Sequence, residues 1–366
     1  MNKNFGVYVH IPFCGKKCIY CDFASFVSKN ETKKIYFDEL EREILSFNQE
    51  REVSTIYFGG GTPSSVDVAC IEKVFNAIKS KFIIKKNAEI TIECNPNSTD
   101  INKLIAYKKM GFNRVSFGVQ SLQDRTLKQM GRLHTAHDAI KAISDAKKAG
   151  FKNISADLMI GFSKQTLSKL KNDITVLSDL GVDHISLYML QIEEGASLYA
   201  KLKNNEAEVL DEDKCEKIFS GAVEFLNKLG YSRYEISNFA KKGKQSRHNS
   251  HYWCLGEYVG FGLGAHSYLD GKRIANSNSL DGYYAQNKKV EELSVKEQIT
   301  ELIMLGLRCS FGVSLKKLRH MGYNLEENKS CKMFLENGIL SLKRGRVYLN
   351  PRYYDVSNSI ICDLII

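Results

Sequence analysis

The most informative stretch of this sequence reads His10-Ile11-Pro12-Phe13-Cys14-Gly15-Lys16-Lys17-Cys18-Ile19-Tyr20-Cys21. Its three cysteines have the spacing C-x3-C-x2-C and directly follow an apolar run, Gly6–Ile11, that predicts a β-strand. Thiolates at this spacing on one loop can reach three corners of a cubane [4Fe-4S] cluster. Because no fourth cysteine follows nearby, one iron would stay open to an exogenous ligand. The alternatives are three unrelated thiols or a zinc loop, which requires a fourth Cys or His close by.

Short β-branched runs alternate with helical patterns over about the first 200 residues. The predicted strands are Gly6–Ile11, Thr55–Phe58, Glu89–Glu93, Arg114–Val119, Ser155–Ile160 and His184–Leu190. The predicted helices are Lys33–Gln49, Val68–Lys81, Asp100–Met110, Ala136–Lys148 and Lys164–Leu180. Such alternation is typical of a parallel sheet covered by helices. Since a complete eight-unit barrel takes about 250 residues, we predict an α/β fold with a partial (β/α)6 barrel.

The remainder of the chain has a different pattern. A predicted helix, Asp211–Leu229, leads into a loop-rich stretch over 231–285 in which aromatic residues and histidines cluster. From about residue 295, three helical patterns precede two short strands, which is the order of a winged-helix-like domain. We therefore predict a barrel over 1–205, a connecting extension over 206–294 and a small C-terminal domain over 295–366.

Composition places the chain among ordinary folded proteins, with 366 residues and a formal net charge of +10. The basic surplus favours acidic partners, although solubility alone accounts for such a charge. No apolar run approaches the roughly 20 residues of a membrane span, and Met1-Asn2-Lys3-Asn4 leads into a strand, which predicts no signal peptide. We therefore expect a cytoplasmic protein whose ten cysteines form no disulfide framework.

The cysteine spacing after a strand is similar to the signature of the radical S-adenosylmethionine (SAM) superfamily. The longer string from Tyr8 to Phe23 resembles the branch that includes oxygen-independent coproporphyrinogen oxidases. The resemblance extends through Gly59-Gly60-Gly61-Thr62-Pro63, Gly118-Val119-Gln120-Ser121 and the C-terminal helices and hairpin, and so covers essentially the whole chain. It implies a partial (β/α)6 radical SAM barrel with a small C-terminal domain.

The resemblance also implies where SAM would bind. The residues that would hold SAM on the open iron are Tyr8, Gly60 and Glu93. The residues that match positions around a second SAM in the oxidases are Tyr20, Gly61, Thr62, Gln120, Arg132 and Asp157. No catalytic residue is assigned. The alternatives are that the glycines form only a tight turn and that Arg132 and Asp157 form a structural ion pair.

The pair Asp22-Phe23 separates two kinds of protein in this branch. The oxidases carry a further cysteine two positions after the third cluster cysteine, whereas this chain has Phe23 there. The chain therefore departs from the oxidase pattern and resembles the HemW-type haem chaperones, which carry Phe.

A second feature is His248-Asn249-Ser250-His251-Tyr252-Trp253, which fits the pattern H-N-x-x-Y-W of the HemW-type proteins and so implies haem binding. Neutral imidazole is a good axial ligand of haem iron, and Tyr252 and Trp253 offer flat faces to a porphyrin. We expect His248 rather than His251 as the ligand, and Arg247 beside a propionate. The alternative is a loop whose histidines bind backbone groups while Trp253 plugs the barrel.

Together these features predict a cytoplasmic haem chaperone on a radical SAM scaffold with a [4Fe-4S] cluster, SAM and haem. It would pass haem to an acceptor haemoprotein, in solution or at a membrane, and would need an electron donor for its cluster. No nucleic acid is expected as a partner. The alternatives are an oxygen-independent coproporphyrinogen III oxidase, which yields protoporphyrinogen IX, and a radical SAM enzyme that modifies nucleic acid. The prediction favours a role without catalysis and leaves SAM cleavage open.

Overall fold

The computed structural model describes residues 4–365 and builds most of them around one twelve-stranded sheet. The signal-peptide prediction concerns a segment whose first three residues lie outside the described residues. The first six strands are β1 Phe5–Ile11, β2 Glu52–Gly60, β3 Ile83–Cys94, β4 Arg114–Gln120, β5 Ile154–Ile160 and β6 His184–Met189. The helices among them are α1 Asn30–Ser46, α2 Val68–Lys81, α3 Ile101–Met110, α4 Asp124–Gln129, α5 Ala136–Lys148 and α6 Leu167–Asp179.

Strands β1 to β6 stand side by side in chain order and are all parallel, which confirms the predicted α/β fold. Side chains alternate across each strand. Val115 and Phe117 of β4 are fully buried in the apolar core under the helices. The inner face is polar instead, and it carries Glu93, Arg114 and Asp157. The inside of this barrel is therefore built for polar ligands rather than for apolar packing alone.

The part of the chain after β6 extends the same sheet at both edges. Its elements are α7 Ser197–Lys203, α8 Glu212–Lys228, β7 Ser232–Arg233, β8 Asn238–Ala240, α9 Arg247–Trp253, β9 Tyr258–Phe261, β10 His266–Leu269, β11 Lys272–Asn276, α10 Leu280–Tyr284 and β12 Lys288–Glu292. Strand β9 pairs in parallel with β1, and β10 to β12 continue outward in antiparallel pairs. On the opposite edge β8 pairs with β6 and β7 with β8.

The stretch over 231–285 is loop-rich as predicted, but its loops connect short strands and helices that the prediction did not contain. The strands there have only two to five residues, and glycines interrupt their alternation. At Gly260 a Cβ would lie 2.1 Å from the carbonyl oxygen of His266, so the close approach of β9 to β10 requires glycine. Such short strands give little periodicity in the sequence.

The C-terminal part has an apolar core of its own, which extends from Ile299 to Leu364. Its elements are α11 Val295–Leu307, β13 Val313–Ser314, α12 Leu315–His320, α13 Lys329–Glu336, β14 Leu340–Lys343, β15 Arg346–Leu349 and α14 Ser357–Cys362. A three-stranded sheet has the order β13-β15-β14. The predicted division at 205 and 294 stays a prediction. Among the described residues, no helix is both long and apolar enough to cross a membrane.

Candidate cluster, S-adenosylmethionine and haem sites

The cysteine loop starts where β1 ends, at the carboxyl edge of the parallel strands. Each of its thiols has at least one polar neighbour. Cys14 Sγ lies 3.5 Å from the Thr62 hydroxyl, and Cys21 Sγ lies 4.0 Å from the hydroxyl of Ser25. Hydrogen bonds to cluster sulfurs stabilise the reduced state of an iron–sulfur cluster. The surroundings of these thiols therefore suit cluster ligands.

The remaining thiol, that of Cys18, has a charged neighbour. A guanidinium nitrogen of Arg132 donates to Cys18 Sγ at 3.4 Å. The cation also donates to Asn95 Oδ1 at 2.9 Å and to the Gly118 carbonyl at 2.6 Å. It is therefore held in place from the neighbouring strands. None of these three contacts of Arg132 is the ion pair with Asp157 that the sequence analysis gave as an alternative. Asp157 is instead associated with Ser186, and burial raises the pKa of the Asp157 carboxyl.

A zinc ion on this loop would need a fourth ligand close by. Among residues 4–365, no group of three or more His, Cys, Asp or Glu side chains is placed to hold a metal ion. The nearest histidine is unsuited as a fourth ligand. His10 Nδ1 is bonded to the Tyr8 hydroxyl at 3.0 Å, and Nε2 lies 2.9 Å from the Ala24 carbonyl.

The glycine segment after β2 is packed directly against the cysteine loop. Gly61 N–H donates to the Ile11 carbonyl at 2.8 Å, and Thr62 N–H donates to the Phe13 carbonyl at 2.9 Å. A Cβ at Gly61 would lie 2.8 Å from the carbonyl carbon of Pro12. At Gly60 the backbone has φ +113°, which favours glycine. The glycines therefore do form a tight turn, as the alternative interpretation had it. The turn also places backbone that carries no side chain next to the cysteine loop.

Glu93 lies at the end of β3, opposite this glycine segment. Its Oε2 accepts from Gly60 N–H at 3.3 Å, and its Oε1 accepts from the Tyr57 hydroxyl at 2.7 Å. Burial is the main cause that raises the pKa of Glu93 to about 7. A partly buried carboxylate that forms no salt bridge within the described structure fits an incoming ammonium group, because the pair would offset the cost of burying the charge.

Tyr57 is a member of this site that the sequence analysis did not identify. Its ring lies 6.3 Å from the ring of Tyr8, another residue expected at the SAM site. The available signal was its place in β2, because residues 55, 57 and 59 share the inner face of that strand. In the sequence alone, a tyrosine at this position of a strand is indistinguishable from one that only packs against its neighbours.

Two further predicted residues lie near Arg132. Tyr20 is half-buried and packs edge-on against Phe162, with ring centroids 5.9 Å apart. Gln120 has a positive φ of 65°, and its buried Oε1 has no hydrogen-bond partner within the described structure. A strained residue with an unpaired polar atom is compatible with a ligand contact.

The haem motif lies on a helix rather than in a loop. Ser246 begins α9, since its side chain accepts from Asn249 N–H at 3.3 Å. His248 and Tyr252 are one turn apart and face each other. The signal for this helix was present in the sequence as a capping serine, but seven residues are too few for a clear period.

His248 is completely buried, and both of its ring nitrogens are hydrogen bonded. Nδ1 lies 2.9 Å from the Thr55 hydroxyl, and Nε2 lies 2.6 Å from the Tyr252 hydroxyl. Burial holds the pKa of His248 well below its usual range, so the imidazole is neutral. Ligation of iron by His248 stays a prediction, and in this arrangement it would require the Tyr252 hydroxyl to move away.

The other polar residues expected near haem lie elsewhere. His251 Nε2 is 2.7 Å from the Glu257 carbonyl, so this histidine binds backbone as the alternative interpretation had it. Arg247 donates to the Asn87 carbonyl at 2.6 Å and does not line the cavity described next. The contact of Arg247 with a propionate stays a prediction, and in this structure the first turn of α9 directs the side chain to β3.

A cavity of about 930 Å³ lies between the barrel edge, α9 and the C-terminal part. Tyr252 and Trp253 form part of its wall, and Tyr188 and Gln191, at the end of β6, also line it. Its other aromatic and cationic lining residues are Phe219, Tyr258, Tyr268, Tyr354, Arg233, Arg273 and Arg308. The wall also carries the carboxylates of Glu216, Glu235, Glu301 and Asp355, of which Asp355 pairs with Arg233 and Glu301 with Arg273. The aromatic faces suit a flat, apolar ligand, and the guanidinium of Arg308, which donates to Asn358 Oδ1 at 2.7 Å, suits a carboxylate on it.

The fold, the cysteine loop and the glycine segment define a radical SAM protein. The model of the radical SAM superfamily matches residues 8–177, and that of the HemN C-terminal domain matches residues 293–352. Among solved structures, coproporphyrinogen III oxidase (HemN) from Escherichia coli superimposes with a TM-score of 0.85 and 21% identity. That match covers 99% of this chain and 90% of the oxidase.

Curated relatives are similar over nearly the whole length. The heme chaperone HemW of Bacillus subtilis is 33% identical over 96% of this chain and 97% of its own. The heme chaperone HemW of Buchnera aphidicola from Acyrthosiphon pisum is 35% identical over 94% and 96%. A mitochondrial radical S-adenosyl methionine domain-containing protein of Mus musculus is 31% identical over 84% and 74%. The chain therefore belongs to the HemW family of haem chaperones within the radical SAM superfamily. Its radical SAM domain implies a [4Fe-4S] cluster and SAM.

Proposed function

We propose that this chain binds haem in the 930 Å³ cavity and passes it to an acceptor haemoprotein. The single observation that carries the proposal is the position of the motif: Tyr252 and Trp253 belong to the wall of a cavity that is lined by further aromatic rings and by both guanidinium and carboxylate groups. The relatives named as heme chaperones support the same function.

The proposed cofactor sites lie at the carboxyl edge of the strands. Cys14, Cys18 and Cys21 would hold the [4Fe-4S] cluster, which supplies an open iron and one-electron chemistry when it is bound. The residues that we propose for SAM are Tyr8, Tyr20, Gly60, Gly61, Thr62, Glu93, Gln120, Arg132 and Asp157. Among them, Glu93 would receive the amino group, and the glycine segment would admit the ligand close to the backbone. The cluster would also need an electron donor.

We further propose that the protein acts in the cytoplasm. All ten cysteines are unpaired, which fits a reducing compartment. The coproporphyrinogen III oxidase alternative is disfavoured by Phe23, which stands 72% exposed where the oxidases carry a cysteine. The structural likeness to that oxidase concerns the fold alone.

An anaerobic absorption titration of cluster-reconstituted protein with haem tests this function. We expect saturable, stoichiometric binding, and we expect Trp253→Ala and His248→Ala to weaken it while the iron–sulfur spectrum persists. His137→Ala removes an exposed histidine and serves as the matched control. Absence of haem binding by the wild type would overturn the chaperone proposal, and protoporphyrinogen formed from coproporphyrinogen under turnover conditions would establish the oxidase alternative instead.

A further inference from the structure

The wall of the 930 Å³ cavity lacks the usual ligand of haem iron. Among the described residues that line it, none is a histidine or a cysteine. His248 does not line the cavity and is fully enclosed. The side chains in the wall that can bind iron axially are the thioether of Met189 and several phenols, since both groups serve as haem ligands.

One of these phenols differs from the others in its partner. The hydroxyl of Tyr252 lies 2.6 Å from Nε2 of His248, whereas the hydroxyl of Tyr268 donates to an amide oxygen, Gln298 Oε1, at 3.3 Å. A phenol binds ferric iron as phenolate, so it must lose its proton. A hydrogen-bonding imidazole behind it stabilises and orients the phenolate, as outer partners do for other metal ligands.

We infer that Tyr252 is the axial ligand of ferric haem and that His248 is its positioning residue. The inference rests on the proposed haem site. In the ligation step the Oη–H bond breaks and an Oη–Fe bond forms. The iron stays ferric, and the proton leaves to the solvent of the open cavity.

The surroundings of His248 allow the imidazole to hydrogen bond to Tyr252 both before and after the phenol loses its proton. Thr55 Oγ1 lies 2.9 Å from Nδ1, and a hydroxyl can donate or accept. With Nδ1 protonated, Nε2 accepts from the phenol. With Nε2 protonated, it donates to the phenolate, while Nδ1 accepts from Thr55. The imidazole is neutral in both tautomers, and the ring of Tyr57, 5.1 Å away and tilted by 24°, holds its plane.

This arrangement also explains the spacing within the motif. The histidine and the tyrosine of H-N-x-x-Y-W are four residues apart, which on a helix places one side chain directly over the other. The adjacent Trp253 then lies beside the ligand in the same cavity wall.

The test uses full-length protein with its cluster oxidised and reconstituted, titrated anaerobically with ferric haem. Phenolate ligation gives ferric haem a phenolate-to-iron charge-transfer absorption band. Resonance Raman excitation within this band enhances the vibrations of the bound phenolate. We expect this band in the wild type and its loss in Tyr252→Phe, which keeps the ring and removes only Oη. Tyr258→Phe makes the same change in a ring whose centroid lies 4.4 Å from that of Tyr252, and it should keep the band. His248→Ala should keep a shifted band with haem affinity reduced about tenfold.

The outcomes separate this inference from the proposed function. If the wild type binds haem without a phenolate band, or if Tyr252→Phe leaves the band intact, the ligand assignment is wrong while haem binding stands. If the wild type binds no haem, both fail. Cluster absorption and the thermal unfolding midpoint of each variant show whether it is folded, and the wild-type spectrum decides the ligand class independently of any variant.

Discussion

The ring of Tyr57 stacks on the imidazole of His248 with centroids 5.1 Å apart, and its hydroxyl donates to Glu93 at 2.7 Å. One inner side chain of β2 thus contacts both the proposed SAM carboxylate and the motif proposed for haem. Tyr57 therefore connects the two proposed sites through one side chain.

Tyr57→Phe is expected to weaken SAM binding. The variant keeps the ring stack but removes the donor to Glu93, and a hydrogen bond to a charged group contributes about 1.5–3 kcal/mol. The dissociation constant for SAM, measured by equilibrium dialysis on cluster-loaded protein, should rise about tenfold or more. Tyr107→Phe is the control, because that buried hydroxyl has no hydrogen-bond partner within the described structure. Equal SAM affinities in all three proteins would contradict the assignment of Glu93 to the SAM site.

Glu93 should also make SAM binding depend on pH. Burial, reinforced by Asp157, raises the pKa of Glu93 to about 7, while Tyr57, Gly60 and Arg114 oppose the shift. Below this value the ligand-free carboxyl is protonated and must lose its proton before it pairs with an ammonium group. SAM affinity should therefore increase from about pH 6 to about pH 8.

The same titration with Glu93→Gln isolates this group, since the amide keeps the size of the side chain and cannot ionise. We expect weaker binding that no longer increases through neutral pH. A Glu93→Gln profile as steep as that of the wild type would show that another group controls the dependence.

The strands that form the parallel sheet were predictable because each is a near-continuous apolar run, or alternates with a period of two, between helical patterns. Helix α9 was not, since its seven residues give too short a period and its role depends on Thr55, almost 200 residues away in the chain. The cysteine ligands could be proposed from spacing alone. Tyr57 could not, because its function comes from an oxygen of a neighbouring strand.

The contacts of Arg132 also could not be predicted from the sequence. The sequence offered Asp157 as a partner because opposite charges on adjacent barrel elements can form a structural ion pair. The structure instead directs the guanidinium to a thiol, an amide and a carbonyl. Which acceptor a long side chain reaches depends on three-dimensional positions that no local pattern records.

Glu43 is expected to stabilise the attachment of the β9–β12 extension to the barrel. This buried carboxylate accepts from Gly262 N–H, Asn276, Tyr283 and Lys288 at 2.8–3.2 Å. Glu43→Gln places an amide donor among these donors and leaves buried groups unpaired. The free energy of unfolding should fall by about 3 kcal/mol.

Denaturant unfolding followed by circular dichroism measures this loss. Glu41→Gln is the matched control on the same helix. Its carboxylate contacts Lys73 at 3.0 Å near the surface, so the change should cost less than about 1 kcal/mol. Similar losses for the two variants would show that the Glu43 contacts do not stabilise the extension.

Arg132 should raise the reduction potential of the cluster. Its guanidinium donates to Cys18 Sγ at 3.4 Å, and both this hydrogen bond and the positive charge stabilise the extra electron of the reduced cluster. Arg132→Met removes the donor and the charge, so the midpoint potential in an anaerobic redox titration should become more negative. Lys128→Met removes an exposed charge from the preceding helix and should shift the potential much less, because solvent and salt screen it. If the two variants shift the potential equally, only net charge matters, and the contact with Cys18 has no specific role.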